Sequence, residues 1–305
     1  MRAERLLGMA ALACALAPAS AHAYCRSTTC NPKLEVCRAD AHRCSIDGLP
    51  VFWADACIPI WLPTDPEPLP GIDASTFAAA IQASFAAWGA ADCAPGGPSI
   101  DTRLDGALEC ALTGYDPDAM QNVNTVRVVE DWPQPVMMRT EIALTTVTSN
   151  AFTGEILDAD IELNADDNRF SVLGDGASVD LQAALTHEAG HALGLDHSDV
   201  LAATMFEAAS PGSLALRTLD PDDEAGICAV YPPGQTPVRA CASAPAAGDP
   251  AQVCRAVVTP RPASTGCSVA APRAVRVSGP GAPWLACAAL LVHRRRRALS
   301  ARARR

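Results

Sequence analysis

The chain has 305 residues, a formal net charge of −11 and thirteen cysteines. Its charge is unevenly divided, because residues 24–293 hold 14 lysines and arginines against 33 aspartates and glutamates, whereas seven arginines lie in the last twelve residues. The acidic charge of residues 24–293 excludes binding of nucleic acid or of an anionic membrane surface by the folded part.

The first 23 residues have the pattern of an export signal. Arg2 and Arg5 precede an apolar stretch at residues 6–16, and Ala21-His22-Ala23 has the small-x-small form of a cleavage site. A transmembrane helix is the alternative, but this stretch is shorter than the ~20 residues that cross a bilayer. We therefore expect a mature chain that begins at Tyr24.

Export also accounts for the cysteines, which are too many for a reducing cytosol. Cys14 leaves with the signal, and residues 24–50 are predicted to be a cysteine-rich N-terminal segment. A metal held by the four cysteines in that segment is one interpretation, but they lack the C-x-x-C spacing of zinc knuckles. Four disulfides are favoured, with their connectivity open, among eight cysteines of the folded part: Cys25, Cys30, Cys37, Cys44, Cys57, Cys93, Cys110 and Cys228.

Strand and helix patterns follow this segment. Residues 51–62 predict a strand, and residues 73–91 predict a helix whose N-cap is Asp73. One face of that helix should pack on a core, since it carries Phe77, Ile81, Phe85 and Trp88. Turn residues separate the last two of three further predicted strands, at 125–130, 142–148 and 156–163.

Acidic residues cluster around the last of these strands and the loop after it. Carboxylates and backbone carbonyls are what calcium requires, so the cluster is a candidate calcium site. A solvated acidic loop explains the same pattern, and the sequence does not decide between the two. The cluster consists of Asp158, Asp160, Glu162, Asp166, Asp167 and Asp175.

The next helix carries the most informative run in the chain. It is predicted at residues 181–193, with Asp180 as its cap. His187 and His191 lie four residues apart, so both imidazoles project from one face of the helix. His197 is too distant to share that face on a continuous helix. Gly194 resolves this, because glycine accepts the left-handed conformation that ends a helix and turns the chain.

Three neutral imidazoles that leave one position open indicate a catalytic zinc site, not a closed structural one. Glu188 lies next to the first histidine, where its carboxylate can reach a water on the metal and act as a general base. The alternative is a helix whose histidines are ordinary polar residues. That alternative fits poorly, since the chain has only six histidines and three of them fall at ligand spacing.

Residues 187–197 follow the H-E-x-x-H-x-x-G-x-x-H pattern and resemble the metzincin zinc peptidases. Ser198 after the third histidine, and Met205 in Ala-Ala-Thr-Met-Phe, are similar to the matrixin family, in its bacterial secreted type. Residues 219–227 resemble the segment that opens the last matrixin helix, here predicted to begin at Asp220-Pro221.

The resemblance implies a fold and a set of roles. Residues 51–233 should form a metzincin-like α+β domain, with a twisted mixed sheet, a long backing helix and the active-site helix. Calcium in the acidic neighbourhood is a further implication. Glu188 would be the general base, Gly194 would make the turn and Met205 would form an apolar floor beneath one zinc ion bound by His187, His191 and His197.

The chain also departs from the animal matrixins. No histidine lies between His42 and His187, so a second, structural zinc site is not expected. The string Pro-Arg-Cys-Gly is absent, so a propeptide cysteine that blocks the zinc is not supported. Phe206-Glu207-Ala208 stands where the family has tyrosine and proline, and therefore cleavage preference does not carry over.

The sequence of the C-terminal part predicts a linker followed by a tail. Residues 234–281 are rich in proline, alanine and serine and predict a linker. Residues 282–305 combine a short apolar segment with an arginine cluster, which resembles the C-terminal sorting tails of certain Gram-negative bacteria. Such a tail would attach the protein to a membrane or cell surface. An amphipathic or disordered basic tail is the alternative.

Taken together, these patterns predict an exported, extracellular or surface-held zinc endopeptidase. Its partners would be protein or peptide substrates in the extracellular matrix or medium, with no nucleic acid, and the enzyme would be a monomer. A binding or adhesion protein that keeps the fold without turnover is the first alternative, and Glu188 argues against it. A zinc hydrolase of another substrate is the second, and only substrate profiling separates it.

Overall fold

The computed structural model describes residues 23–235, apart from residues 33, 65–68, 109–112, 118–121, 133–140, 177 and 209. The predicted export signal up to residue 22 lies outside the described residues. So do the C-terminal tail and all but the first two residues of the predicted linker.

Nine strands and three α-helices lie within the described residues. The helices are α1 (Ala74–Gly89), α2 (Leu181–Ala192) and α3 (Pro221–Val230), with a 3-10 turn at Ala215–Arg217. The strands are β1 (Cys25–Arg26), β2 (Cys57–Pro63), β3 (Asp101–Leu108), β4 (Asn124–Val129), β5 (Ala143–Ser149), β6 (Ile156–Asn164), β7 (Phe170–Ser171), β8 (Val179–Asp180) and β9 (Leu195–Asp196).

Five of the strands form a mixed sheet in the order β3-β2-β4-β6-β5. Neighbours run parallel except β5, which is antiparallel to β6 and lies at one edge. The expected α+β fold with a mixed sheet is confirmed. The position of β5 matters most for function, because an edge strand has one side free of strand partners.

Helix α1 forms as the sequence predicts. The Asp73 side chain accepts a hydrogen bond from the backbone N–H of Thr76 at 2.7 Å, which caps the first turn. All four residues of the predicted apolar face are buried in the main core. Trp88 is fully buried, and its indole N–H donates to the carbonyl of Thr186 in α2 at 2.8 Å. The first helix therefore supports the helix that carries His187 and His191.

One strand prediction needed correction, and one strand of the sheet was not predicted. The first strand begins at Cys57, not at residue 51, because the backbone of Val51 and Phe52 pairs elsewhere. Val51 donates to the carbonyl of Ser27 and Phe52 donates to that of Gly154. Strand β3 was not predicted at all. It is a largely polar edge strand with a register shift opposite β2, so its sequence lacks the apolar alternation of a buried strand.

Disulfide bonds join Cys25 to Cys44, Cys30 to Cys37, and Cys93 to Cys228. Cys57 is also disulfide-bonded, and Cys110 lies outside the described residues. The four cysteines of the N-terminal segment thus pair with one another and do not form a metal site. The Cys93–Cys228 bond ties the loop after α1 to α3, across 135 residues of sequence.

Candidate metal centre

The active-site helix α2 begins at a buried carboxylate. Asp180 caps it by accepting from the backbone N–H of Ala183 at 2.9 Å. The guanidinium of Arg217 binds the same carboxylate through two hydrogen bonds, at 2.8 and 2.5 Å. Because the Asp180 side chain is fully buried, the ion pair supplies the countercharge that burial requires. The loop before the last helix is thereby tied to the start of the metal-binding helix.

Three imidazoles converge beyond this cap. The Nε2 atom of His191 lies 3.2 Å from Nε2 of His187 and 3.2 Å from Nε2 of His197. Zinc–nitrogen bonds of 2.0–2.1 Å at tetrahedral angles place ligand atoms roughly 3.3 Å apart, so these separations fit a single zinc ion. Within the described part of the chain, this is the one place where three or more histidine, cysteine, aspartate or glutamate side chains could share a metal.

The outer nitrogens of two of these rings are held by backbone carbonyls. Nδ1 of His187 lies 2.7 Å from the carbonyl oxygen of Thr204, and Nδ1 of His191 lies 3.0 Å from that of Leu195. A carbonyl only accepts, so Nδ1 must carry the proton and Nε2 must present its lone pair. Partners of this kind fix the orientation of metal-binding histidines in zinc proteins.

The surroundings keep the rings neutral. Burial lowers the pKa of His187, and burial together with His197 lowers the pKa of His191 to about 4. Burial and the neighbouring His187 lower the pKa of His197. Neutral imidazole is the form that binds a metal, so near pH 7 no proton has to be displaced from the ligand set.

The third histidine reaches the others through a sharp turn at Gly194. This glycine has φ 95°, in the region that other residues rarely adopt, and a Cβ there would lie 2.9 Å from the carbonyl oxygen of Val51. The carbonyls at the end of α2 find side-chain partners: the Trp53 indole donates to Ala192 and the Tyr231 hydroxyl to Leu193. The helix therefore stops at a defined residue, as the sequence predicts.

Met205 packs against Gly190, between the first two histidines of α2, and its position explains why this residue is a glycine. Met205 is buried, and a Cβ built on Gly190 would lie 2.6 Å from Trp88 Cζ2 and closer still to the Met205 sulfur. Hydrogen bonds hold the methionine backbone in place, since its N–H donates to Asp223 and its carbonyl accepts from the N–H of Ser198. Gly190 is thus required by packing.

Glu188 points into the cleft from the same helix. Its Oε2 accepts a hydrogen bond of 2.6 Å from the hydroxyl of Thr145 in β5, and that hydroxyl also lies 3.1 Å from the Glu188 carbonyl oxygen. Burial raises the pKa of Glu188. A carboxylate with a raised pKa takes up a proton near neutral pH more readily than an exposed one.

A cleft of about 650 Å³ runs beside these groups. One wall is strand β5, the floor is the side of α2 that carries His187 and His191 with His197 beside it, and the far wall is the loop after Met205. Glu207 lies in that loop and forms a largely exposed ion pair with Arg43, at 3.2 Å. Exposed pairs of this kind contribute at most about 1 kcal/mol, so Arg43 holds Glu207 only weakly. Glu207 also lines the cleft and is accessible from it.

Residues 140–232 match the model of the Matrixin family. The matched stretch includes strands β5 and β6, helices α2 and α3, all three histidines and Met205. This segment is therefore similar to the matrixins, a family of metzincins. No curated protein matches the chain significantly. A matrixin-like segment supports a zinc metallopeptidase in general, acting on protein, and implies zinc as the metal of the histidine cluster.

The predicted site residues are found together, and further residues support them that the sequence did not indicate. His187, His191, His197 and Glu188 line one cleft, Gly194 makes the turn, and Met205 packs against Gly190 of α2. Thr145 and Asp223 were missed, because each contacts the site from a distant part of the sequence. The only sequence feature that could have indicated Thr145 is its polar side chain in a strand next to the predicted catalytic helix.

The predicted acidic cluster does not converge in the structure. Asp160 accepts from the backbone and hydroxyl of Thr125 and from the N–H of Gly114, whereas Glu162 pairs with Arg127. Asp158 and Asp160 are buried on β6, facing away from the helices, since Ile161 and Leu163 alternate with them into the core. The other acidic residues of the cluster belong to loops outside this pair.

Replacing Gly190 by alanine tests the packing around Met205. Alanine favours a helix by about 1 kcal/mol over glycine, but overpacking a tight core costs about 1–3 kcal/mol. We expect Gly190→Ala to lower the free energy of unfolding and to weaken zinc binding, as measured by denaturation and chelator competition. Gly89→Ala is the matched control, because a Cβ there meets nothing within 4 Å. Equal stability of the two variants would contradict this account.

Proposed function

We propose that the protein is an exported zinc-dependent endopeptidase. The observation that carries the proposal is the convergence of three half-buried imidazoles through their Nε2 atoms in the cleft that Glu188 also lines, beside a free sheet edge. Metal ligands and a buried carboxylate at one surface serve hydrolysis by activated water. The neighbouring free strand edge serves the binding of an extended chain.

The histidine cluster fits zinc by its donor set and by its geometry. The ligand atoms are neutral nitrogens at tetrahedral separation, and two of the rings are oriented by carbonyls of Thr204 and Leu195. Three protein ligands leave one position open, as in catalytic zinc sites. When bound, zinc lowers the pKa of water to around 7 and polarises a carbonyl oxygen.

Glu188 is the proposed general base. It is buried at the cleft surface, its carboxylate is held by Thr145, and it ligates nothing in the histidine cluster. In the proposed reaction it accepts a proton from the attacking water and later donates it to the leaving amine. Its raised pKa supports both steps, since the group must hold the proton between them.

Strand β5 is the proposed binding edge for the substrate backbone. The N–H of Asn164 donates to the carbonyl of Ile142, which identifies this pair as a hydrogen-bonded pair of the antiparallel ladder. Such pairs alternate, so Leu144 bonds to β6 whereas the N–H and C=O groups of Ala143 and Thr145 point to the free edge. An extended peptide can add there as a further strand without requiring a particular side-chain sequence.

Export is part of the proposal. Four of the described disulfide-bonded cysteines crowd into residues 25–44, which fits an oxidising compartment. None of the described helices is long and apolar enough to cross a membrane. The proposed enzyme acts as a monomer, and the tail at residues 282–305 would retain it at the cell surface. A non-catalytic binding protein remains the second candidate, and the experiment below separates the two.

Two variants separate metal binding from catalysis. Glu188→Gln should keep one zinc per chain yet lower kcat by ~10²- to 10⁴-fold, because it removes proton transfer and no ligand. His197→Ala should lose zinc as well as activity, since two imidazoles remain. Zinc is measured by competition with a chelator, and activity by cleavage of unfolded casein.

The control is the wild-type protein, which should lose activity in chelator and regain it with added zinc. Wild-type zinc binding without any hydrolysis would favour the binding protein. Full activity in Glu188→Gln would remove Glu188 from the role of base. Absence of zinc from the wild type would overturn the proposed function as a whole.

Proline substitutions test the substrate edge. Ala143→Pro removes an N–H that points to the free edge, so we expect zinc content and fold to persist while kcat/KM for peptides falls by about 5-fold or more, the value of one hydrogen bond. Leu144→Pro is the matched control, because it removes a bond to β6 and should lower stability instead. Wild-type turnover by a folded Ala143→Pro variant would exclude β5 as the partner of the substrate.

Calcium is included in the proposal at one place, the carboxylate of Asp158. Its Oδ2 is buried and has no hydrogen-bond partner, and burial together with the adjacent Asp160 carboxyl raises the pKa of Asp158. A buried carboxylate oxygen without a partner is one oxygen ligand of the six to eight that calcium takes, and both Asp160 oxygens already accept hydrogen bonds from Thr125 and Gly114. The proposal therefore assigns the Asp158 oxygen alone, and not the exposed loop carboxylates, to calcium.

The pH dependence of stability tests this assignment. Because the folded pKa of Asp158 is raised, its contribution to stability is lost as pH rises from the ordinary aspartate value of about 3.9 toward the folded one. We expect calcium at pH 8 to raise the melting temperature of the wild type. The rise should be about 2–4 °C for each kcal/mol that calcium adds to the free energy of unfolding. Asp158→Asn, which can donate to Asp160, should be insensitive to calcium. An equal rise in both proteins would locate the ion elsewhere.

A further inference from the structure

The loop that carries the third histidine lies against the N-terminal segment. Strand β1 pairs antiparallel with β9, so that Cys25 lies opposite Asp196 and Arg26 opposite Leu195. The pairing continues for one residue, since the N–H of Ser27 donates to the carbonyl of Gly194 at 3.0 Å. The backbone between the second and third metal ligands is therefore one half of a small sheet whose other half is residues 25–27.

A single carbonyl connects this small sheet to a metal ligand. The carbonyl oxygen of Leu195 accepts from the hydroxyl of Ser27 at 2.9 Å and from Nδ1 of His191 at 3.0 Å. Its position thus sets the orientation of the His191 ring. Ser27 donates a second hydrogen bond to that carbonyl, and the residue also lines the cleft.

A buried carboxylate makes a second connection. Asp222 accepts the backbone N–H of Tyr24, the predicted first residue of the mature chain, through Oδ1 at 3.1 Å. In the chain that still carries its predicted signal, the same oxygen also accepts the N–H of Ala23 at 2.6 Å. Its Oδ2 accepts the hydroxyl of Ser198, the residue after His197, at 2.7 Å. The start of the N-terminal segment and the residue next to the third ligand are therefore fixed to the same side chain.

One disulfide closes the segment over this loop. Cys25 in β1 is buried and bonded to Cys44, and His42 in the enclosed stretch lies 2.8 Å from Asp199. The other disulfide of the segment, between Cys30 and Cys37, joins residues whose described contacts stay within the segment. Only the first bond therefore holds the strand that pairs with the ligand loop.

We propose that Ser27 and strand β1, held by the Cys25–Cys44 disulfide, are positioning elements of the zinc site. They keep the Leu195 carbonyl and the turn to His197 in the arrangement that zinc needs, and they ligate nothing themselves. The inference rests on the proposed zinc function. It implies that the N-terminal segment contributes to zinc binding by the peptidase domain. It also implies that reduction of the Cys25–Cys44 disulfide lowers the affinity for zinc.

The first experiment removes one hydroxyl. Ser27→Ala should raise the zinc dissociation constant by about 10-fold, the lower end of what loss of an outer partner costs a zinc site. Zinc is measured by chelator competition on the full chain. Activity lost at limiting zinc should return when zinc is in excess, and Ser27→Thr, which keeps the hydroxyl, should behave as the wild type.

The matched control is Ser45→Ala on the same segment. The Ser45 hydroxyl contacts only Thr28 and the carbonyl of Asp47 in the described structure. It should leave zinc affinity unchanged. A Ser27→Ala variant with wild-type zinc affinity but a raised KM would make Ser27 a substrate contact and would overturn the positioning role.

The second experiment compares the two disulfides. The double variant Cys25→Ser with Cys44→Ser should raise the zinc dissociation constant more than Ser27→Ala does, because it releases the whole of strand β1. The double variant Cys30→Ser with Cys37→Ser should keep wild-type affinity. Measurement at a temperature where circular dichroism shows both variants folded separates local release from unfolding.

The outcomes distinguish this inference from the proposed function. Failure of the wild type to bind zinc would overturn the proposed function. Zinc binding by the wild type together with equal affinity in Ser27→Ala and in the Cys25/Cys44 variant would overturn the positioning inference alone. An equal loss of affinity in both disulfide variants would mean that the segment acts through overall stability, which also contradicts it.

Discussion

The site depends on one backbone reversal, the turn at Gly194 that brings His197 back to the helix. Two imidazoles one helical turn apart meet by helix geometry alone, but the third must arrive within 3.2 Å of His191 Nε2 from outside the helix. A Cβ at the turn would collide with the Val51 carbonyl. Val51 also donates its N–H to the carbonyl of Ser27, whose own N–H donates to the carbonyl of Gly194. The segment that requires glycine at the turn is therefore bonded to the same residues that support the loop.

The sequence predicted the local part of the site because its parts are close in sequence. All three ligands, Glu188 and Gly194 fall within eleven residues, and a helix followed by a glycine turn leaves few arrangements for them. The caps at Asp73, Asp180 and Asp220 were predictable for the same reason, since a cap is a relation between neighbours.

Contacts between distant residues could not be predicted in the same way. Thr145 reaches Glu188 across 43 residues, and Asp223 holds the backbone of Thr204 and Met205 across 19 and 18. Strand β3 was not predicted because its sequence is largely polar and lacks the apolar alternation that indicates a strand. The need for glycine at position 190 becomes visible only when Trp88 and Met205 meet above it. Each case depends on the packing of the whole sheet and helix assembly.

The N-terminal segment belongs with these distant contacts. The loop from Gly194 to Asp199 has little regular structure of its own, since β9 is two residues long and pairs only with β1 among the described strands. Metal geometry tolerates little displacement, because ligand atoms must stay within a few tenths of an ångström of their positions. A loop that carries a ligand therefore needs rigid neighbours, and here they are a buried carboxylate at Asp222 and a strand closed by a disulfide. Under the proposed positioning role, the cysteine pattern that the sequence assigns to export has a second physical reason, which is to hold the loop with His197 in place.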